Sequence, residues 1–573
     1  MNKEEIVKIL NEIAVLLELA GENPFKSRAY ETAARNLERT TDDIEGLVKS
    51  GEISRIPGIG EAIGKKIETL VTTGHLEYYE KLRASIPPGH LEMLKIPGLG
   101  PKKIRTLFQE LKITTIGELE YACRENRLVN LKGFGRKTQE NILQGIERVK
   151  HYQARRLYAE ALPDALTLSS LLSEKLSIPV TIAGSLRRGA ETVKDIDLLV
   201  ATHNPHEVGE AFSHLEPVET VTSRGETKVS VVLRSGINSD LRIVSPEEFP
   251  YALHHFTGSK EHNTAMRARA KDRGWKMNEY GLFLGDKNIP CHSEEEIFHH
   301  LGLDYIPPEL RENMGEIEAA ERGQLPKLIE EGDIRGVLHI HTTFSDGSLS
   351  LEEIVRMARE RGYTYIGISD HSQSAYYAGG LKREAIKEQT RLIDELNIKM
   401  APFRIFKGIE ADILPDGSLD YEEDILSAFD FVIAAVHSHF QMKEADMTER
   451  ICRALRHPDT TILAHPTGRL LLSREPYEVN MATVMAEAAA LGKVIELNAN
   501  PYRLDISWPN LITAKKMGVK IAINPDIHDV SGFSYMSLGV KIARKGWLER
   551  EDCINCLKAD EIETFFRKMK ARR

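Results

Sequence analysis

The chain has 573 residues, a net charge of −10 and five cysteines, with 41% hydrophobic and 28% charged residues. That length exceeds what one core supports, so several domains are expected, and the few scattered cysteines exclude a disulfide-built scaffold. No run reaches the roughly eighteen consecutive apolar residues of a membrane-spanning helix, so a cytoplasmic protein without a membrane partner is expected.

The opening MNKEEIVKILNEIAVLLELAG carries acidic residues inside an apolar period and lacks a small-residue cleavage site. It predicts an amphipathic helix rather than a signal peptide. A repeat follows. Ile56-Pro-Gly-Ile-Gly60, Ile96-Pro-Gly-Leu-Gly100 and Leu131-Lys-Gly-Phe-Gly135 each precede a helical pattern with basic residues in or near its first turns. Gly58, Gly98 and Gly133 permit a tight turn. Gly60, Gly100 and Gly135 then open a helix whose amide N–H groups suit a phosphate. Lys102 and Lys103 add charge in the second copy. Spacings of 40 and 35 residues make a repeat of what would otherwise be three glycine-capped helix starts. Although the whole chain is acidic, residues 101–150 hold 11 Lys and Arg against 6 Asp and Glu. Where positive charge clusters matters more for nucleic acid than the total.

From about 150 to 250 the pattern turns to strands: PVTIAGS, DIDLLVAT, TKVSVVLR and SDLRIVS. Gly184-Ser185 closes a strand and opens a helix, a phosphate-ready end, with Arg187 and Arg188 available for phosphate oxygens. Asp195 and Asp197 stand two apart on a strand and so share one face. Asp240 supplies a third carboxylate. Like charges so close call for cations between them, and three carboxylates can hold two Mg²⁺ ions for an in-line phosphoryl displacement. A lone Asp-x-Asp is as often a solvated strand edge; the full string GSLRRGAETVKDID weighs against that.

The stretch 311–333 is polar and acidic and is expected to be a linker. After it come seven apolar strands, VLHIH, YIGISDH, FRIFKGIEAD, FDFVIAAVHSH, TILAHP, KVIELNAN and VKIAINPDIH, most separated by helical patterns, which predicts a parallel barrel. Ligand-type residues close six of the seven: His339 and His341, with Asp346 in the loop beyond, then His371, Glu410, His437, His465, and Asp526 with His528. Such strand ends converge on one mouth of a (β/α) barrel. Histidine with carboxylate suits Zn²⁺, Mn²⁺ or Fe²⁺. His439 is expected to lie outside the ligand set. Cys553-Ile-Asn-Cys556, a lone CxxC, reads as ordinary C-terminal structure.

The motif GSLRRGAETVKDID closely resembles the nucleotidyltransferase motif of family X DNA polymerases, and the order of segments over 1–310 is that family's. The Gly-x-Gly turns resemble helix-hairpin-helix motifs, which grip the DNA backbone without reading sequence. HxH, DH, the glutamate, VH, AHP and DxH resemble the PHP (polymerase and histidinol phosphatase) domain over about 335–573. The whole chain thus resembles the bacterial and archaeal type of family X polymerase. The implied fold is multidomain α/β: a helical lyase-like domain (1–85), a helix-hairpin-helix domain (86–150), an α+β palm (151–245), a nucleotide-selecting subdomain (246–310), a linker (311–335) and a distorted (β/α)7 PHP barrel (336–573).

By resemblance, Asp195, Asp197 and Asp240 bind two catalytic Mg²⁺ or Mn²⁺ ions. Gly184, Ser185 and Arg188 hold the incoming triphosphate. His255-Phe256-Thr-Gly258-Ser packs beside the nucleotide sugar, and Asn263 and Arg267 reach the nascent pair and the template. Lys66 aligns with the family's Schiff-base lysine, for which an amine is the right nucleophile; phosphate binding by Lys26, Lys65 and Lys66 is the other reading. The barrel is expected to hold three Mn²⁺ or Zn²⁺ ions: one on His339, His341, Glu410 and Asp526; a second on Glu410, His437 and His465; a third on Asp346, His371 and His528. Departures from the family are His255 in place of a tyrosine, Val193-Lys194 in place of Ser-Gly, Ala62 in place of a second lysine, and Pro525 before Asp526. The implied function is gap filling on primed or gapped DNA from dNTPs by a monomer in DNA repair, with 3′→5′ trimming, and AP endonuclease or 3′-phosphatase action, by the barrel. A phosphatase of small phosphomonoesters and a non-enzymatic DNA scaffold are the rival readings.

Overall fold

The computed structural model describes residues 3–40, 44–96, 98–129, 131–150 and 155–571. The chain divides into two compact units, Met1–Lys150 and His151–Arg573.

The first unit is helical among its described residues. Its opening helix, Lys3–Ala20, serves two apolar clusters. Ile6, Leu10, Ile13 and Leu17 face the first, with helices Pro24–Arg39 and Glu61–Thr73. Leu16 and Leu19 face the second, with helices Pro101–Leu111 and Arg136–Lys150. The boundary expected near residue 85 therefore separates two halves that share one helix. The three Gly-x-Gly turns have one build. Gly58, Gly98 and Gly133 have φ of +80°, +80° and +85°, a region closed to most L-residues. The next amide donates back across each turn: Ile59 to Ile56 O at 3.1 Å, Leu99 to Ile96 O at 3.1 Å, Phe134 to Leu131 O at 3.0 Å.

In the second unit the palm sheet has five strands, ordered Val180–Ile182, Asp195–Ala201, Asn238–Val244, Lys228–Leu233 and Val218–Arg224. Only the central pair, Asp195–Ala201 with Asn238–Val244, runs parallel. A small antiparallel sheet, Trp275–Asn278, Gly281–Leu284 and Lys287–Asn288, follows two helices, Phe249–Thr257 and Lys260–Asp272. Ser259 caps the second helix by accepting from the His262 amide at 3.1 Å.

The barrel has seven parallel strands in chain order: Gly336–Val337, Tyr365–Ile368, Arg404–Asp412, Phe431–Ala435, Thr460–Leu463, Val494–Asn498 and Lys520–Asn524. A parallel bridge between Ile340 and Ile527 joins the first strand's path to the last. Phe431 fills one end of the barrel. A Cβ on Gly367 or Gly408 would lie 2.5 or 2.3 Å from its ring, so neither position accepts a side chain. The C-terminal helix Ala559–Lys570 stacks Phe566 on Phe431, with ring centroids 5.2 Å apart. One continuous apolar cluster includes palm residues such as Leu198 and Val231 and barrel residues such as Ile340 and Ile523.

The segment expected to be a linker is packed structure. It forms a short helix, Glu316–Glu321, and buries Arg311, Ile317, Ala320, Leu328 and Ile329. Two of its charges are turned inward and paired. Arg311 meets Glu294 at 2.5 Å, and Glu316 meets His262 at 2.8 Å. A polar composition therefore does not mark a solvated strand of chain here. Cys553 and Cys556 are buried, free thiols beside a 3₁₀ turn. Among the described residues no helix is long and apolar enough to cross a membrane.

Candidate active sites in the palm and the barrel

In the palm, the parallel register pairs Asp197 with Asp240 and Asp195 with Asn238. The three carboxylates therefore meet at the ends of two neighbouring strands. Burial, and then the Asp195 and Asp240 charges, push the Asp197 carboxyl up to about 7. Asp240 is held by Lys228 at 2.7 Å and by the Ser230 hydroxyl at 2.6 Å. Gly184 has φ of +63°, and a Cβ there would sit 2.0 Å from Asp197 Oδ2, so this glycine lets the turn close onto the carboxylates. Ser185 lies in the single turn Gly184–Arg187 that follows.

The two arginines of this turn differ. Arg187 is not available to phosphate. It donates to Thr257 Oγ1 at 2.6 Å and grips Glu294 with both ends of its fork, at 3.1 and 2.5 Å. Arg188 donates from Nε to Glu312 at 2.9 Å and from one Nη to the Thr257 carbonyl at 2.5 Å. Gly258 lies against it, for a Cβ there would come within 3.0 Å of Arg188 Nη1. Phe256 lies under the Arg242 guanidinium at 4.7 Å. His255 is half-buried, 3.9 Å from Glu279, and its carbonyl accepts from Asn263 at 2.7 Å. Arg267 is exposed on the same helix. Val193 is buried in a two-residue ribbon with Arg156, while Lys194 is exposed.

In the barrel all nine expected residues converge. His341, Asp346, His371 and His528 bring one ligand atom each within 4.8 Å of the others, and so do His339, His341 and Asp526, and His371, Glu410 and His437. Glu410 is the hub. Its oxygens lie 3.5 Å from His339, 3.7 Å from His341, 2.8 Å from His371, 3.3 Å from His437 and 3.0 Å from His465. The grouping differs in detail from the expected triads. His341 also faces the Asp346 group, and His371 points one nitrogen at Asp346 (3.4 Å) and the other at Glu410.

The donor set fits metal ions. His339 Nε2 and His371 Nε2 are buried without a hydrogen-bond partner, the nearest carboxylate oxygens standing 3.4 Å away, which is costly unless a cation takes them. Burial, then the neighbouring His528 and His371, push His341 down to about 4; burial, then Arg503, push His465 down to about 3. Both are thus neutral imidazoles near pH 7, the form that binds metal.

Four family models match. Residues 1–76 match a helix-hairpin-helix domain, 91–148 a SAM-like helix-hairpin-helix tandem, 252–312 a DNA polymerase beta thumb and 338–484 a PHP domain. A Bacillus subtilis protein, DNA polymerase/3'-5' exonuclease PolX, is 40% identical over 575 residues, covering 99% of this chain and 100% of its own length. The chain belongs to the PHP-bearing family X DNA polymerases. Two further relatives match about a third of the chain each. Repair DNA polymerase X of African swine fever virus is 28% identical over 30% of this chain and 98% of its own. A probable phosphatase of Thermoanaerobacter is 30% identical over 33% of this chain and 77% of its own.

Sequence reasoning missed the carboxylates that aim the clustered histidines of this family X polymerase. Glu496 accepts from His339 Nδ1 at 2.7 Å, and Asp412 from His437 Nδ1 at 2.6 Å. Each turns the far nitrogen toward the cluster. Asn498 donates to Asp526 at 3.1 Å and to Glu496 at 3.0 Å. Asp370 gathers the Thr342 amide and hydroxyl and the Gln389 amide, at 2.8, 2.8 and 2.6 Å, behind the first ligand loop. A signal for two of these existed. Asp412 is two residues from Glu410 on one strand, and Glu496 lies in the one strand that had no ligand assigned.

In the first unit of the polymerase, a Cβ at Gly60, Gly100 or Gly135 would meet nothing within 4 Å, so each turn has open space beside it. Lys102 is exposed, and Lys103 donates to Gly98 O at 3.1 Å. Lys66 lies 4.9 Å over the Tyr78 ring and 5.9 Å over the Tyr30 ring. Lys65 is paired with Glu61 at 2.7 Å, and Lys26 with Glu22 at 2.9 Å.

Proposed function

We propose that this chain is a DNA repair enzyme that extends a primer across short gaps at Asp195, Asp197 and Asp240 and trims 3′ ends in the barrel. Its relative of full length carries both activities in its name. What supports the reading most is the coexistence of two intact sites on one chain: the Asp197–Asp240 pairing across parallel strands and the nine convergent histidines and carboxylates of the barrel. Mg²⁺ or Mn²⁺ in the palm, and three Mn²⁺ or Zn²⁺ ions in the barrel, would supply the charge that activates the attacking oxygen and steadies the leaving one.

The residues divide the remaining work. Asp195, Asp197 and Asp240 hold the palm ions. Gly184, Ser185 and Arg188 receive the triphosphate of a dNTP, and His255, Phe256 and Gly258 border its sugar. Asn263 and Arg267 face the nascent pair and template. Gly58, Gly60, Gly98, Gly100, Lys102, Lys103, Gly133 and Gly135 hold the backbone of gapped or primed duplex DNA. His339, His341, Asp346, His371, Glu410, His437, His465, Asp526 and His528 hold the barrel ions. Lys66, between two tyrosines, serves as lyase nucleophile or as phosphate grip. The working form is a cytoplasmic monomer.

A gapped-duplex primer assay with and without dNTPs tests this. Asp195→Ala should abolish extension and spare 3′→5′ degradation, and His339→Ala should do the reverse. Degradation that survives His339→Ala would remove the barrel assignment. The second reading, a phosphatase of small phosphomonoesters, is favoured by the likeness of a third of the chain to a probable phosphatase. It predicts faster turnover of a small phosphomonoester than of a DNA 3′ end.

A further inference from the structure

The barrel presses four cations against the palm side: three meet the loop that carries Arg188, and the fourth, Arg544, meets Glu309. Arg469 meets Glu191 at 2.6 Å. The helix Tyr535–Lys545 lies between barrel and palm, and a Cβ on its Gly539 would come within 2.6 Å of Ala499 and 2.7 Å of Ile523. From it Lys541 approaches Glu309 at 3.7 Å and lies where a Cβ on Gly189 would sit 3.0 Å away. Arg544 donates to Glu309 at 2.9 Å. Lys545 ends the helix and is only 2% exposed. Its ammonium donates to Glu312 at 2.5 Å, to the Arg188 carbonyl at 3.2 Å and to the Glu309 carbonyl at 3.5 Å, and lies 5.0 Å over the Trp508 ring.

Glu312 thus sits between two cations. One carboxylate oxygen, Oε1, accepts from both Arg188 Nε and Lys545. A guanidinium has five N–H donors in a rigid fork. Glu312 takes one and the Thr257 carbonyl another, which fixes the plane and leaves three N–H groups, both of Nη2's among them, for a phosphate contact. Charge follows the same logic. Glu312 alone would cancel Arg188 and spoil it for an anion. With Lys545 beside it, the three groups together keep one positive charge. The geometry points to Lys545 and Glu312 as a positioning couple: Glu312 aims Arg188, and Lys545, supplied by the nuclease barrel, keeps Glu312 from neutralising it. The barrel is thereby a determinant of nucleotide affinity in the palm, independent of its own hydrolytic chemistry. This rests on the reading that Arg188 receives the triphosphate.

The test is steady-state gap filling by the full chain, with KM for dNTP and kcat measured separately and 3′→5′ degradation followed in parallel. Lys545→Met is expected to raise KM by about two- to fivefold, the scale of losing one charge contact at a solvent-facing phosphate site, with kcat within about twofold and degradation unchanged. Adding Glu312→Gln to Lys545→Met should return KM to near the wild-type value, because the neutral amide still accepts from Arg188 without cancelling it. A merely structural lysine would show no such rescue. Lys545→Arg should resemble wild type, and Glu312→Gln alone should not raise KM. The inference is overturned if Lys545→Met leaves KM unchanged, if the double variant is no better than Lys545→Met, or if Glu312→Gln alone raises KM. If Lys545→Met does not fold, the Glu312→Gln and Lys545→Arg outcomes decide. Arg188→Gln separates the two claims: an unchanged KM there removes the triphosphate reading itself, whereas a raised KM with no effect at Lys545 removes only the coupling.

Discussion

Single residues in this enzyme are set by partners far away in sequence. Glu496 touches no expected substrate, yet it fixes which nitrogen of His339 faces the cluster. Glu496→Gln is expected to weaken metal retention in the barrel roughly 10–100-fold, with degradation lost in proportion and gap filling kept; metal content after dialysis, read beside both activities, checks it. His254 is a different case. It is buried against Phe298 and His262, and burial, then the Arg311 charge, hold its imidazole well below the usual range. The folded protein therefore binds fewer protons than the unfolded chain below pH 6.5. Its contribution to stability is complete above that pH and is lost as pH falls, by about 1.4 kcal/mol per pH unit while the proton is excluded. The melting temperature should drop between pH 7.5 and 5.5, and drop less in His254→Phe; scans at both pH values isolate the difference from the titration of the barrel histidines.

The elements explain why some of this was legible and some was not. A residue that joins a cluster at the end of a strand leaves a mark in sequence, because an apolar run terminates in a histidine or a carboxylate. His371, Glu410, His437 and His465 were readable for that reason, and Asp195 and Asp197 for the period of two along a strand. Pairings between elements leave no such mark. Arg187 and Arg188 look alike in GSLRRG, but Glu294 captures the first and Glu312 shares the second with Lys545. The 311–333 stretch looks solvated because its charges are counted without the partners they meet. The Gly-x-Gly turns were legible because their φ values demand glycine. Among them the second carries exposed Lys102 at the first turn of its helix. Lys102→Ala should weaken binding to gapped duplex whatever its sequence and lower the slope of log affinity against log salt by about 0.9, measured by titration at several salt concentrations.

At the scale of the whole molecule, the two chemistries are separable by ligand but not by packing. Mn²⁺ at a hundredfold excess over its dissociation constant should stabilise the barrel by about 2.7 kcal/mol. The resulting rise in melting temperature should persist in Asp195→Ala and shrink in His339→Ala, as thermal scans with and without Mn²⁺ would record. The palm and barrel nonetheless share one apolar cluster and a row of ion pairs, so neither module is a passenger on the other.

The bridge between Ile340 and Ile527 has a consequence for how the protein is made. Translation yields the palm carboxylates, both nucleotide-loop arginines and the first barrel ligands early, but Asp526, His528 and the strand that closes the ring come near the end of the chain. A growing polypeptide therefore holds a complete set of palm carboxylates while its nuclease is still an open sheet. A frameshift or premature stop upstream of Lys520 would remove the closing strand, Asp526, His528 and Lys545 together, so one genetic lesion would open the barrel and strip the palm of its partner lysine at once.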